Sequence, residues 1–594
     1  MAARTPPRPN ADRPRRSPPA RRPAPARGPS LTRSVCDALA LLAVAVTTFH
    51  AFAVEGYVIS SGSMAPGLFG FHKRVECPTC AHTFARGVAF DPGHGDGGRG
   101  GVNADEGADG DDFPPVRAVT LAACPNCGQP DIDVSAAPDT QGDQLLVLKH
   151  AFAWRTPRRW EVVVFRHPDD ARQAYVKRVV GLPGERVRVR DGDVWAGGAL
   201  CRKGADDRRA VRIPVFDPNN LPPGEEPRWA GGGWVRVDQP DAETAAAPGV
   251  AVRFETPEAF GGTADAGDGR PAGWRKLVYR HRPAAGGTHV TRVPVGELPA
   301  RFAWTKPPLP KAYAFDPAAG ELSCRGVLSD ADAAALGRVS RHPRWRAAVA
   351  ELRRRSRFAP VTDAYGYNRA PDDVRPPARV RDFCVTLAAS VGDGAALAVE
   401  LTDGGRTFLL AADRAAGRLT LHEVAPDGGP FADPLRDAPL PAAFAAGEPV
   451  RIEFGLFDRQ AFAAVDGAEA FPPLPYDRAD DAAYPGPSPA VVGARGAVRV
   501  TELMLHRDVH YTRGRAVHGV EEEYELRPGE LFVLGDNSPV SLDSRGWEHA
   551  AVPERLLIGK PFVVHLPSRP GTLRWGDVET TVRVPDPSRM RLVR

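Results

Sequence analysis

Long apolar runs are nearly absent from this chain of 594 residues: only the stretch from Val35 to Val54 is long enough to cross a bilayer. A hydrophobic fraction of 42% and a charged fraction of 25% exclude a multi-span transporter and leave an ordinary globular composition. An overall excess of charge is also missing. The net +4 belongs to residues 1–33, where nine Arg face one acid, Asp12, so the remaining chain is about −4. No internal repeat is evident. The 15 His are scattered and offer no well-supported His/Asp pair for a catalytic triad. What is present is length, too much for one core, and abundant Gly and Pro, which favour loops and short strands over long helices.

The Pro/Arg/Ala-rich segment 1–33 cannot bury a core and is expected to be a disordered basic tail. A nucleic-acid arm is one reading of it. The apolar run that follows favours another, a cytoplasmic flank of a membrane helix over residues 34–56. Twenty residues at helical rise span about 30 Å, the thickness of a bilayer core. Ala51-Phe52-Ala53 also mimics the small-x-small site of a cleaved secretory signal. The anchor is the expectation, because so long a basic tail is unusual before a signal. It places the N-terminus inside and all that follows residue 56 outside.

Residues 71–141 open with Cys77-Pro78-Thr79-Cys80 and close with Cys124-Pro125-Asn126-Cys127 around a Gly/Asp-rich acidic loop. Paired C-x-x-C knuckles are the spacing of a tetrahedral Cys₄ zinc site, so Cys77, Cys80, Cys124 and Cys127 are the candidate ligands of a structural zinc. Four thiolates leave no open position for catalysis. Disulfides, which an oxidising compartment permits, are the alternative. Cys201, Cys324 and Cys384 lack metal spacing and read as buried thiols.

Residues 201–515 form a second, larger insertion. Its later part alternates apolar and polar residues in short runs separated by Gly, Asp and Pro turns, as in Phe383–Leu387, Ala396–Leu401 and Val450–Phe454. That is the pattern of an antiparallel β-sandwich, and it resembles concanavalin/laminin-G jelly rolls. Residues 209–282, with Trp229, Trp234, Trp274 and Tyr279, are expected to add strands to it. Residues 330–356 read as helical. The fold class expected is therefore mainly β.

Three further blocks carry chemistry: Ser60-Ser61-Gly62-Ser63-Met64-Ala65-Pro66, then Tyr175-Val176-Lys177-Arg178-Val179-Val180-Gly181-Leu182-Pro183-Gly184-Glu185, then Gly535-Asp536-Asn537-Ser538-Pro539-Val540-Ser541-Leu542-Asp543-Ser544-Arg545. A serine hydroxyl needs a base within hydrogen-bonding reach, and a buried, neutral lysine is a known one. Strand alternation puts Lys177 and Val179 on one face, and Val176, Arg178 and Val180 on the other. In this order, beside an apolar segment, the blocks resemble the serine, lysine and Gly-Asp-Asn boxes of type I signal peptidases. The resemblance covers roughly residues 35–70, 142–190 and 525–566.

It implies a discontinuous β catalytic domain over residues 57–70, 142–200 and 516–594, interrupted by the zinc-ribbon-like and lectin-like insertions. By the resemblance, Ser63 is the nucleophile and Lys177 the general base. The Ser63 N–H and the Ser61 hydroxyl are oxyanion donors, and Ser541 orients the lysine amine. Asp543 with Arg545, and Asp536 with Arg178, are supporting pairs. The activity implied is membrane-bound serine endopeptidase cleavage of signal peptides from secretory preproteins, after small residues and without a catalytic cofactor. Its setting would be the cell (inner) membrane, with the bilayer and preproteins as partners and no nucleic acid. Two other classes remain: a self-cleaving Ser-Lys protease of the repressor type, and a non-catalytic membrane-anchored binding protein in which a lectin-like module accompanies a relic peptidase fold. The apolar segment and the lack of a helix-turn-helix argue against the first. Retention of reactive residues in all three boxes argues against the second.

Overall fold

The computed structural model describes residues 53–88, 120–129, 131–221, 227–237, 253–256, 274–282, 285–296, 313–368, 377–425, 433–479, 481–513, 517–575 and 578–593, with residue 32 and parts of 35–44. The basic tail as far as residue 31 and the acidic loop over 89–119 lie outside the described residues. Residues 35–42 and 44 are helical, but among the described residues no helix is long and apolar enough to cross a membrane. Residues 45–52 of the expected span lie outside the described residues. A helix reaching residue 56 is ruled out, because Val54–Val58 is a strand. Pairing to a neighbouring strand satisfies its backbone polar groups in place of helical bonds.

That strand, β1, edges an eight-stranded sheet with β2 (Gln144–Leu148), β3 (Val162–Arg166), β4 (Ala174–Gly181), β5 (Glu530–Leu534), β6 (Val552–Pro553), β7 (Leu557–Val564) and β8 (Arg591–Leu592). The order is β1-β2-β7-β3-β4-β5-β6, with β8 on β7. Sequence-distant segments therefore become neighbours. β4 lies between β3 and β5, so the lysine box and the strand leading into the Gly-Asp-Asn box share a ladder, with Arg178 opposite both Val162 and Leu534. β3 reads as an unbroken apolar run because both its faces are covered. Val162 and Val164 join Leu145, Val147 and Ile59 on one side, while Val163 and Phe165 join Val179, Leu531 and Trp547 on the other.

β4 leads into a small antiparallel sheet whose hairpin pairs Arg190 with Asp193. Asp191 and Gly192 both take positive φ, 53° and 89°, which a two-residue turn matched to strand twist requires.

The second insertion is a sandwich of a nine-stranded and a seven-stranded sheet, its core built from residues such as Trp229, Tyr279, Phe383, Phe408 and Phe454. Trp229–Ala230 and Arg275–Tyr279 extend one sheet; Val235–Val237 and Arg253–Glu255 extend the other. A satellite unit packs two helices, α1 (Asp330–Val339) and α2 (Pro343–Ser356), on a three-stranded sheet. The expected helical stretch is thus two helices. Ser329 caps the first through Asp332 N, and Pro343 starts the second.

Lys203 Nζ, 4.6 Å from the centre of the Trp160 ring, forms a buried ion cluster with the sandwich, reaching Asp458 at 2.6 Å and Asp508 at 2.7 Å.

Within the sandwich, burial and then the Arg212 charge lower the pKa of His506 from 6.5 to about 3. The ring stays neutral in the fold and takes a proton only on unfolding, so its contribution to stability is whole above about pH 6.5 and drains as pH falls toward 3. Unfolding midpoints measured across that window should therefore fall less steeply for His506→Gln than for the unaltered protein.

Candidate active site

The loop that carries Ser63 begins where β1 ends. Ile59 N donates to Asp143 O at 2.9 Å and Phe71 N to Ser60 O at 3.1 Å, which closes residues 60–70 into a compact turn. Inside it Ala65 N donates to Gly62 O and Leu68 N to Met64 O. The Asp143 carboxylate accepts from Phe69 N at 2.9 Å and from Arg589 at 2.8 Å, pinning the loop's exit to the C-terminal segment.

At the centre of the loop, Ser63 Oγ accepts a 2.6 Å hydrogen bond from Lys177 Nζ. The two residues are 8% and 2% exposed. Lys177 stands on β4 opposite Val163, on the face it shares with Val179, and its amine lies 5.6 Å from the centre of the Tyr175 ring. A serine and a lysine 114 residues apart thus share one buried site. Ser61 Oγ is 3.3 Å from Ser63 Oγ and stands at the exposed rim.

Arg178, the next residue on β4, points to the other face. Its guanidinium donates to both Asp536 oxygens at 2.8 and 2.7 Å and to Trp160 O at 2.6 Å. Arg545 likewise donates to both oxygens of Asp543, at 2.8 and 2.7 Å. Burial alone would raise the Asp543 carboxyl, but the Arg545 charge and its hydrogen bonds outweigh it and hold that group below 3.8. Gly535 N also donates to Asp543.

Ser541 is brought to the same place but not to the amine. Its Oγ is buried without a hydrogen-bond partner, and it packs so tightly on Gly535 that a Cβ there would lie 2.2 Å from it.

Several residues with no expected role take part. Asn537 N donates to Ser63 O and its side chain to Gly62 O, both at 2.9 Å. Asn368 pairs with the same carboxamide. Ser538 Oγ accepts from Thr512 N and from Arg545. Asn537 and Ser538 sit inside the quoted box and were within reach of sequence reasoning. Thr512 and Asn368 carry no local signal.

The four cysteines of the two knuckles converge. Their Sγ atoms all lie within 4.8 Å, with 3.6 Å between Cys77 and Cys127 and 3.7 Å between Cys80 and Cys124. A tetrahedron with Zn–S bonds of about 2.3 Å has edges of about 3.8 Å, so the donor set fits a zinc ion. None is in a disulfide. The knuckles repeat one backbone design, with Ala81 N bonded to Cys77 O and Gly128 N to Cys124 O, each at positive φ.

Residues 131–224 and 483–566 match the family model for signal peptidase, peptidase S26. The matched blocks contain Lys177 and the whole Gly-Asp-Asn box; Ser63 lies before them. The "Probable signal peptidase I-2" of Synechocystis is 41% identical over 81 residues, 13% of this chain and 35% of that protein. "Signal peptidase I V" of Bacillus subtilis is 38% identical over 66 residues, 11% of this chain and 38% of that protein. The chain thus spans little more than a third of the length of these curated relatives. Among solved structures, a Bacillus subtilis carbohydrate-binding module of type CBM66 aligns at 10% identity over 22% of this chain and 76% of its own, with a TM-score of 0.17. Sheep galectin-11 aligns at 14% identity over 21% and 89%, also with a TM-score of 0.17.

Asp543→Asn would leave the Arg545 guanidinium buried without its counter-charge. The expected cost is about 3–5 kcal/mol, read as a lower denaturant midpoint.

Proposed function

We propose that this protein is a membrane-associated serine endopeptidase of the type I signal peptidase kind, cutting signal peptides from secretory preproteins. The observation that carries the reading is the 2.6 Å contact between Ser63 Oγ and Lys177 Nζ, both buried, with Lys177 and the Gly-Asp-Asn box inside the segments similar to signal peptidases.

In this reading neutral Lys177 takes the Ser63 hydroxyl proton as Oγ attacks the scissile carbonyl. The new oxyanion is met by the Ser63 N–H and the Ser61 hydroxyl. The C–N bond then breaks, the lysine ammonium returns its proton to the leaving amine, and an acyl-enzyme remains. Lys177 next takes a proton from water as the water attacks the ester carbonyl, and it gives that proton to Ser63 Oγ as the ester C–O bond breaks. Asp536 with Arg178, and Asp543 with Arg545, hold the lysine strand and the box in register.

Cys77, Cys80, Cys124 and Cys127 hold a structural zinc in this reading, joining two knuckles that are distant in the chain. Their packing together with Val75, Phe84 and Ile132 supports it. The N-terminal apolar segment serves as the membrane anchor.

Ser63→Ala and Lys177→Ala should each abolish cleavage of a preprotein while the protein stays folded; substantial activity in either would sink the dyad. Ser61→Ala should cost about 10²–10³ in rate. Activity should be lost in acid as the lysine protonates, and a profile following an ordinary histidine would point to another base. For the knuckles, metal analysis after chelator-free purification should find about one zinc per chain with four free thiols after denaturation. No zinc and no reactive thiols there would mean disulfides instead.

A further inference from the structure

The second insertion does not stay clear of the chemistry. Between α2 and the strand Phe383–Val391, residues 365–368 (Tyr-Gly-Tyr-Asn) run against the nucleophile loop. Asn368 and Asn537 exchange two side-chain hydrogen bonds: Asn368 Nδ2 donates to Asn537 Oδ1 at 2.8 Å, and Asn537 Nδ2 donates to Asn368 Oδ1 at 2.6 Å. The same Asn537 Nδ2 donates to Gly62 O, and Asn537 N donates to Ser63 O. Asn537 is therefore the clamp on the two carbonyls that flank the nucleophile's peptide, and Asn368 decides which way that clamp faces.

Tyr367, 4% exposed, covers the other side. Its ring stacks on Phe69 at 5.4 Å and 10°, and its hydroxyl donates to Phe71 O at 3.2 Å. The ring fills the space over Gly62 so closely that a Cβ there would lie 2.2 Å from it. The segment is itself braced. Tyr367 O accepts from Gly87 N and Arg86, and Gly366 lies against Pro125 of the second cysteine knuckle.

We infer that Asn368 and Tyr367, supplied by the inserted sandwich region, are positioning residues for the Ser63 loop, acting through Asn537 and Gly62. The inference rests on the peptidase reading for its kinetic consequence, but not for its structural one. Without Asn368 the Asn537 carboxamide keeps only its bond to Gly62 O and loses the two that fix its orientation, and a nucleophile displaced by a fraction of an ångström loses much of its rate while substrate binding is left intact.

The test uses the full chain and two readouts. With a preprotein substrate, Asn368→Ala and Tyr367→Ala should lower kcat about 10- to 100-fold with KM within about twofold, because only the nucleophile's placement changes. Tyr367→Phe, which keeps the ring, should stay within about threefold of the parent, the loss of one modest hydrogen bond at most. Independently of cleavage, hydrogen exchange at the amides of residues 60–68 should speed up in both alanine variants while exchange in β4 is unchanged. Unchanged exchange in that loop, or equal losses in Tyr367→Phe and Tyr367→Ala, overturns the inference. If an alanine variant fails to fold, Asn368→Asp, which keeps the acceptor and loses the donor, must still speed exchange in the loop. Faster exchange in the variants of a parent that cleaves no preprotein would sustain the positioning role and sink the peptidase reading.

Discussion

The bidentate ion pair between Arg178 and Asp536 is the constraint on which the site depends. Both groups are almost wholly buried, so neither tolerates losing the other, and the pair can form only when β4 and β5 lie in one register. Once Arg178 is fixed toward Asp536, strand alternation fixes Lys177 toward the opposite face, where Ser63 waits. A one-residue slip would send the ammonium into the Arg178 environment and the guanidinium toward the serine. The same box residue, Asp536, is followed by Asn537, whose backbone and side chain hold the serine loop. One ion pair thereby sets the lysine's direction and the loop's distance together.

Two large insertions leave this arrangement intact because they enter at the margins of the β sheet and then fold back on it. The first leaves the serine loop through Phe71 and returns through Gly142-Asp143, whose backbone and carboxylate bond the same loop. The second leaves after the small sheet and returns at Tyr511, which bridges to Gly192. Its buried cluster of Lys203 with Asp458 and Asp508 gives the sandwich a docking point that excludes water. The cysteine module bonds to the same inserted region at other residues: Asn126 exchanges hydrogen bonds with Asp217 beside the strand Ile213–Phe216, and Arg228 donates to Cys127 O. Residues 71–141 and 201–515 are packed against the rest of the chain rather than tethered to it.

What the amino-acid sequence determined by itself is whatever depends on local pattern. The period-two runs of the sandwich, the strand carrying Lys177, the repeated Cys-Pro-x-Cys knuckles and the acid–arginine content of the last box are all legible, because pleat and turn geometry impose short spacings on residue type. What only the tertiary structure decided is which polar group meets which. The apolar run up to Val54 reads as helix to its end, yet Val54 opens a strand, since the sheet beside it offers backbone partners that local propensity does not register. Ser541 reads as the lysine's partner but stands unbonded beside Gly535, because tight packing there sets its direction. Asn368 and Asn537 find each other across 169 residues with no periodicity to announce them. A hydrogen bond between side chains demands a few tenths of an ångström and a particular angle, and those come only from the assembled fold.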